Sequence, residues 1–194
     1  IVERSAAAAA AGQGPLVESL EQRAAREPPP LLFDLTALQR TANRRYGLSA
    51  KRTLEVAQAL YERHKLITYP RTDSRHLTRD LIAELPKLFS AVAEEPTYAP
   101  HAAPLLSSPP APPRRVFADG KVQDHHAIIP TPVPLSQDRT AALSREERLL
   151  LDLIVRRFLG AFYPDAEFLH TRVVVRVGAP APAEAPAPDR RAHV

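Results

Sequence analysis

Prolines divide this chain more firmly than any other feature. There are 21 of them in 194 residues, and each fixes φ and removes a backbone donor. Pro28-Pro29-Pro30 forces an extended connection and forbids helix there. Seven prolines fall between Pro96 and Pro113, a stretch that reads as an irregular surface connection. Pro164 closes a helical pattern, and the Ala/Pro/Glu alternation from Ala179 to Pro188 reads as linker or tail. Regular structure has to fit between these breaks.

Between them the helical period dominates. A first helix opens at Leu35-Thr36, with Thr36 as the expected N-cap, and Gly47 stops it in the left-handed position. Ser49 is placed to cap a second helix from Ala50 to about His64, with an apolar stripe of Leu54, Ala57, Leu60 and Tyr61. The pair, joined across Gly47-Leu48, has the spacing of a helix-turn-helix unit. Thr78 is expected to cap a third helix, Arg79 to about Phe89, bent or divided at Pro86. Asp119-Gly120 is a turn dipeptide. Ser144 and Glu147 make a capping box for a fourth helix, whose buried stripe is Leu150, Leu153, Ile154, Phe158 and Phe162. Thr171 to Val177 alternates as a strand does, and Pro15 to Arg23 carries a weaker strand signal. Residues 1–14, with alanines at Ala6 to Ala11 and breaks at Gly12 and Gly14, read as a helix end or loop. The expected class is mainly α with minor β.

A hydrophobic fraction of 44% supports a core. With no cysteine, disulfides and thiolate zinc sites are excluded. No apolar run is long enough to span a bilayer, and the alanine run is too short and too weakly apolar for a signal peptide. The expectation is a soluble cytoplasmic protein without membrane partners. The opening at Ile1 and the proline-rich end suggest a piece cut from a longer polypeptide. Net charge is +4 but uneven: residues 36–80 hold ten Lys or Arg against four Asp or Glu. Such a run is usually a solvated helix face. Its concentration around Tyr69 favours a footprint for a phosphate backbone.

Tyr69 lies within Leu66-Ile67-Thr68-Tyr69-Pro70-Arg71-Thr72-Asp73-Ser74. The residue before a proline is pushed toward extended geometry, and in an extended segment residues two apart share a side. Tyr69 and Arg71 should therefore project together, with Asp73 next along that face. A hydroxyl nucleophile beside a permanently charged planar fork suits attack on a phosphodiester. The plain alternative is a packed tyrosine beside a surface Arg71–Asp73 ion pair.

Four segments carry a resemblance. Pro29-Pro30-Leu31-Leu32-Phe33-Asp34-Leu35-Thr36-Ala37-Leu38-Gln39, Ser49-Ala50-Lys51-Arg52-Thr53-Leu54, Ile67 to Ser74, and Asp124-His125-His126-Ala127-Ile128-Ile129-Pro130-Thr131 resemble, in order, the central region of type IA DNA topoisomerases. The topoisomerase III branch is the most similar. The resemblance implies that Tyr69 is the nucleophile, joined transiently to a 5′ phosphate while an intact strand passes through the gap. It implies that Arg71 supports the transition state and that His125 contacts the nucleic-acid backbone. His126, Lys65, Thr72 and Asp73, with Lys51 and Arg52 of the second segment, are expected to support DNA binding. A phenolate leaves more readily than an alkoxide, so such a bond could be reversed without ATP. Arg71 supplies the positive charge bidentately, as a lysine could not.

His125-His126 also invites a metal reading. Adjacent residues of an extended segment face opposite ways and rarely chelate one ion, so a phosphate contact is preferred and no metal site is expected in this chain. The cofactor that the resemblance implies is Mg²⁺, held by an acidic domain absent from this sequence. The expected partner is single-stranded DNA in a nucleoid-associated setting, with RNA and a helicase as further candidates. The expected organisation is a strand and linker of a gate or arch domain over 1–34, a tyrosine-bearing helical domain over 35–143, a helix and strand returning to the gate over 144–178, and a tail over 179–194. Three competitors remain open. They are a non-catalytic helix-turn-helix module, a tyrosine recombinase, which would join its tyrosine to a 3′ phosphate, and a purely structural segment.

Overall fold

The structure is a computed structural model that describes residues 15–177. The alanine-rich opening over 1–14 and the proline-rich tail from 179 lie outside the described residues. Two compact units emerge. Pro28–Ala166 forms a helical unit, and the strands on either side of it in sequence form the other.

The helical unit begins with α1 (Leu35–Tyr46) and α2 (Ala50–Glu62), which pack against each other. Asp34, not Thr36, caps α1: its carboxylate accepts the Ala37 N–H at 2.5 Å from an extended backbone. The Leu35 N–H is already bonded to the Thr72 carbonyl at 3.0 Å, and the helix starts two residues earlier than a Thr36 cap would allow. Gly47 ends α1 at φ 71°, the left-handed region that a side chain disfavours, and Arg44 and Arg45 in the last turn complement the helix dipole. The Ser49 hydroxyl caps α2 by accepting the Arg52 N–H at 3.1 Å.

The buried stripe of α2 differs from the expected one. Thr53, Val56, Ala57 and Leu60 are buried, while Leu54 and Tyr61 sit half-buried at its edge. Thr53 tolerates burial because its hydroxyl donates to the Ser49 carbonyl at 2.9 Å.

After α2 the run at 79–93 divides at the proline. Arg79–Glu84 is a 3₁₀ segment, and α3 (Leu85–Ala93) follows with Pro86 in its first turn, where a missing N–H costs nothing. Thr78 makes no cap bond; the Asp119 carboxylate accepts the Arg79 N–H instead, at 2.8 Å. The proline-rich stretch is not wholly irregular. It contains α4 (Ala99–Ser107), with Pro104 inside it, packed on α3 through buried Ala102 and Leu105. Burial there outweighs the hydrogen bond that Pro104 forfeits.

A short α5 (Gln137–Ala141) precedes α6 (Arg145–Gly160), which packs against α2 and α1. The Ser144–Glu147 capping box is formed. All five residues of the expected stripe are buried, and Phe158 and Phe162 meet Phe89 at centroid distances of 5.5 and 5.1 Å.

The second unit is an antiparallel pair of β1 (Leu16–Glu27) and β2 (Ala166–Arg176). Arg26 pairs with Glu167 at 2.7 Å, and Arg176 with Glu18. Apolar side chains such as Leu20, Phe168 and Leu169 remain exposed on it. The described residues are thus mainly helical with one two-stranded sheet, as the sequence pattern implies. No helix among the described residues is long and apolar enough to cross a membrane.

Glu147 locks α6 to the end of α2. Its side chain is 5% exposed, paired with Arg63 and 3.2 Å from His64. Burial raises its pKa, but the bonds from the Ser144 backbone and hydroxyl, then Arg63 and His64, outweigh that and hold it at about 2. A depressed carboxyl contributes stability that is present above its unfolded value and is lost as pH falls through the folded one. Glu147→Gln should therefore cost about 1–3 kcal/mol near neutral pH. The gap to the parent protein should close as pH falls from 4.5 toward 2. Denaturant melts across that range would measure it, and a gap independent of pH would contradict the assignment.

Candidate nucleic-acid cleavage site

The site is built where α2 hands the chain to an extended segment. The N–H groups of Arg63 and His64 both reach the Ala59 carbonyl, at 3.0 and 3.1 Å, and Leu66 N–H reaches back to Leu60 at 2.9 Å. Lys65 sits between them at φ 59°, a left-handed turn normally given to glycine. The chain then runs antiparallel to the 128–131 segment. Thr131 N–H bonds Leu66 at 3.0 Å, Thr68 N–H bonds Ile129 at 2.9 Å, and Ile67 bridges Pro130. Ile128 continues the seam by donating to the Phe33 carbonyl at 2.8 Å.

Side-chain hydroxyls finish the seam where the backbone pattern is interrupted. Thr68 donates to the Ala127 carbonyl at 3.2 Å and accepts the Ile129 N–H at 3.0 Å. Thr72 donates to the His125 carbonyl at 3.0 Å and accepts the Ser74 N–H at 3.1 Å. Ser74 in turn reaches the Lys121 carbonyl at 3.1 Å. Thr72 and Ser74 are buried, as is Pro70, while Tyr69 is half-buried and Arg71 and Asp73 are exposed. That is the alternation an extended Tyr-Pro-Arg segment should have: anchors on one side, chemistry on the other.

The Tyr69 ring makes two aromatic contacts. The His125 ring lies 4.4 Å from it, tilted by 43°, and Tyr61 presents its edge at 5.5 Å. The Lys65 ammonium lies over Tyr61 at 5.6 Å. The phenol itself is open. The Tyr98 and Tyr163 hydroxyls are engaged, by Asp152 at 3.1 Å and by the His101 carbonyl at 2.8 Å. Tyr69 makes no such bond, and among the described residues no buried side-chain oxygen or nitrogen lacks a partner. Its hydroxyl is therefore not sealed off from solvent. Among the described residues no ion pair joins Arg71 to Asp73, which leaves the guanidinium fork of Arg71 available.

The fold brings Tyr69, Tyr61, Lys65 and His125 into one cluster, while Arg71 and Asp73 are exposed and alternate with the buried Pro70, Thr72 and Ser74. Thr72 belongs to the seam rather than to the open side. His126 is half-buried and turned toward the Ala127 carbonyl, 2.8 Å away, so the two histidines part as adjacent extended residues do. Lys51 and Arg52 lie at the other end of α2, ~15 Å along the axis from Tyr61. Arg52 is engaged there by Glu146 at 2.5 Å and by Glu55 at 3.1 Å. Tyr61, expected in the apolar stripe of α2, packs half-buried against the core and also meets the Tyr69 ring, a contact that periodicity does not reveal. No group of three or more His, Asp or Glu that could hold a metal occurs among the described residues.

A family model described as DNA topoisomerase matches residues 2–184. The chain is 44% identical over 172 residues to DNA topoisomerase 3 of Bacillus licheniformis, a match covering 89% of this chain and 23% of that protein. It is 46% identical over 152 residues to DNA topoisomerase 3 of Shouchella clausii, covering 78% and 20% of the two. The solved structure of full-length topoisomerase I from Thermotoga maritima is similar with a TM-score of 0.56 and 26% identity, over 84% of this chain and 25% of that one. The chain thus spans less than a quarter of the length of these two topoisomerase 3 relatives.

The seam can be tested directly. Thr72→Val keeps the shape but removes the hydroxyl that joins His125 to Ser74, and it should cost about 1–3 kcal/mol of stability. Thr36→Val, at an exposed position that caps nothing, should stay within ~0.5 kcal/mol of the parent. Paired thermal melts would distinguish the two positions, and equal losses would contradict the seam.

Proposed function

This chain belongs to the type IA DNA topoisomerases, in their topoisomerase III branch, and from that premise we propose that it supplies the strand-cleaving tyrosine of a longer enzyme. The observation that carries the reading is the open hydroxyl of Tyr69, whose ring contacts two other aromatic rings.

In this reading the Tyr69 oxygen attacks a phosphodiester of single-stranded DNA. The new bond joins the phenolic oxygen to phosphorus, and the bond from phosphorus to the 3′ oxygen breaks. The phenol's proton is lost and the departing 3′ oxygen gains one. Another segment of DNA passes through the gap, and the 3′ hydroxyl then attacks the phosphotyrosine to restore the strand. The number of phosphoester bonds is unchanged at every stage, so no ATP is needed. Arg71 offers two parallel N–H donors to the phosphoryl oxygens as charge builds on them. His125 orients the phenol by packing against it and contacts the backbone of the bound strand. Tyr61 and Lys65 also support the phenol.

Mg²⁺ fits this part of the site poorly. It takes hard oxygen ligands in a strict octahedron, and the groups around Tyr69 are an arginine, a lysine, an imidazole and a second phenol. The carboxylates of the two motifs, Asp73 and Asp124, come singly. We assign any Mg²⁺ to residues of the whole protein beyond this chain. The non-catalytic helix-turn-helix alternative gives no use for an open phenol beside a free guanidinium. RNA as a substrate and a helicase as a partner have no residue here that selects for them.

In the whole protein, Tyr69→Phe should abolish the covalent DNA adduct while leaving strand binding. Arg71→Ala should slow cleavage ~10²–10³-fold. Labelled DNA trapped in denaturing gels reads both, and an adduct that survives Tyr69→Phe would remove the nucleophile. The isolated chain, added to negatively supercoiled plasmid with Mg²⁺, should leave it supercoiled; relaxation would contradict the division of labour.

A further inference from the structure

A second cluster of arginines gathers at a recess that Tyr69 does not line. A recess of about 220 Å³ opens between α1 and α6, bordered by Pro30, Phe33, Thr41, Arg45, Arg156 and Arg157. The Arg157 guanidinium lies on the Phe33 ring, 4.0 Å from its centroid, and donates to the Leu31 carbonyl at 2.9 Å. Arg75 donates through Nε to the next carbonyl, Leu32, at 3.1 Å. These bonds hold both forks in place while leaving most of their N–H groups unused. Arg45 projects from the last turn of α1 and is exposed.

Charge is unbalanced here. Arg156 has a carboxylate partner, Asp152, at 2.7 Å. Among the described residues, Arg45, Arg75 and Arg157 have none within ion-pair distance. Burial pushes the half-buried Arg157 guanidinium down from its usual range, and the neighbouring charges of Arg75 and Arg45 push it further. Arg45 and Arg157 border the recess, and Arg75, held on the carbonyl next to the one that holds Arg157, adds a third like charge beside them; together they form a preorganised site for an anion with several oxygens.

We infer that Arg45, Arg75 and Arg157 form a second phosphate-binding site, which holds the backbone of a single DNA strand at a point distinct from the scissile phosphate. The inference rests on the proposed topoisomerase reading for the identity of the ligand. The extended segment from Pro28 to Asp34 borders both places. Phe33 closes the recess, its carbonyl joins the seam at Ile128, and Leu35 binds the carbonyl of Thr72. A strand gripped at the recess is thereby held by the same segment that supports the Tyr69 loop. The ligand is backbone rather than base: the site offers forks and charge, and its one aromatic face is already covered by Arg157.

Protection from an arginine-specific dicarbonyl reagent, read by peptide mass spectrometry, tests this on the intact chain. A single-stranded oligonucleotide of about sixteen nucleotides is compared with inorganic phosphate and with an uncharged methylphosphonate oligomer. The oligonucleotide should slow modification of Arg45 and Arg75 as well as Arg71, and Tyr69→Phe should leave that protection intact. The methylphosphonate oligomer should protect none. Protection of Arg71 without Arg45 or Arg75 would overturn the second site and spare the cleavage reading. Protection at Arg45 and Arg75 without Arg71 would support the site and count against that reading. Protection at none of them would sink both. Equal protection by inorganic phosphate at matched phosphate concentration would reduce the site to a free-anion site and overturn the strand assignment. Independently, Arg45→Ala should lower the salt dependence of oligonucleotide binding by about 0.7 in log–log slope. It should do so equally in an Arg71→Ala background, and an unchanged slope would overturn the contact.

Discussion

A buried threonine hydroxyl ties this molecule's chemistry to its fold. Thr72 binds the His125 carbonyl and the Ser74 N–H at once, and Thr68 makes a similar pair of bonds with Ala127 and Ile129. Two segments some sixty residues apart in sequence are joined there without a regular sheet. Each hydroxyl is both donor and acceptor, so one side chain satisfies two backbone groups that the broken ladder would leave unpaired. With the even-numbered residues 70, 72 and 74 fixed inward, Tyr69 and Arg71 have no choice but to face outward. His125 arrives against the Tyr69 ring by the same connection.

The surrounding fold keeps that seam in register. At one end, Glu147 of α6 holds Arg63 and His64 just before the left-handed turn at Lys65. At the other, arginines pin the extended Pro28–Asp34 segment by its carbonyls: Arg115 on Pro29, Arg157 on Leu31, Arg75 on Leu32. A proline-rich segment has few donors of its own with which to join a sheet. Guanidinium groups supply them, and their unused donors then create the charged recess beside α1.

Much of this was legible in the sequence because it depended on local rules. The Tyr-Pro-Arg alternation follows from the residue before a proline being extended. The Ser144–Glu147 box and the Gly47 stop follow from their own backbone demands. The rest was decided by distant partners. Asp34 and Thr36 are both good N-cap residue types, and the Thr72 carbonyl chose between them by capturing the Leu35 N–H. Tyr61 falls at the edge of a helical stripe, where periodicity cannot separate a purely core residue from one that also flanks Tyr69. The prolines of α4 argued against helix until packing on α3 outweighed them. Arg45, Arg75 and Arg157 are scattered through the chain, and nothing in their spacing brings them together.

The Tyr69 oxygen is the atom proposed to become bonded to DNA. The most direct measurement is tandem mass spectrometry of the whole protein after it is trapped on a strand and trimmed with nuclease. The expected result is one modified peptide, Leu66 to Ser74 within it, carrying a nucleotide on Tyr69 through a 5′ phosphate. A nucleotide on another residue, or one attached through its 3′ phosphate, would contradict this assignment.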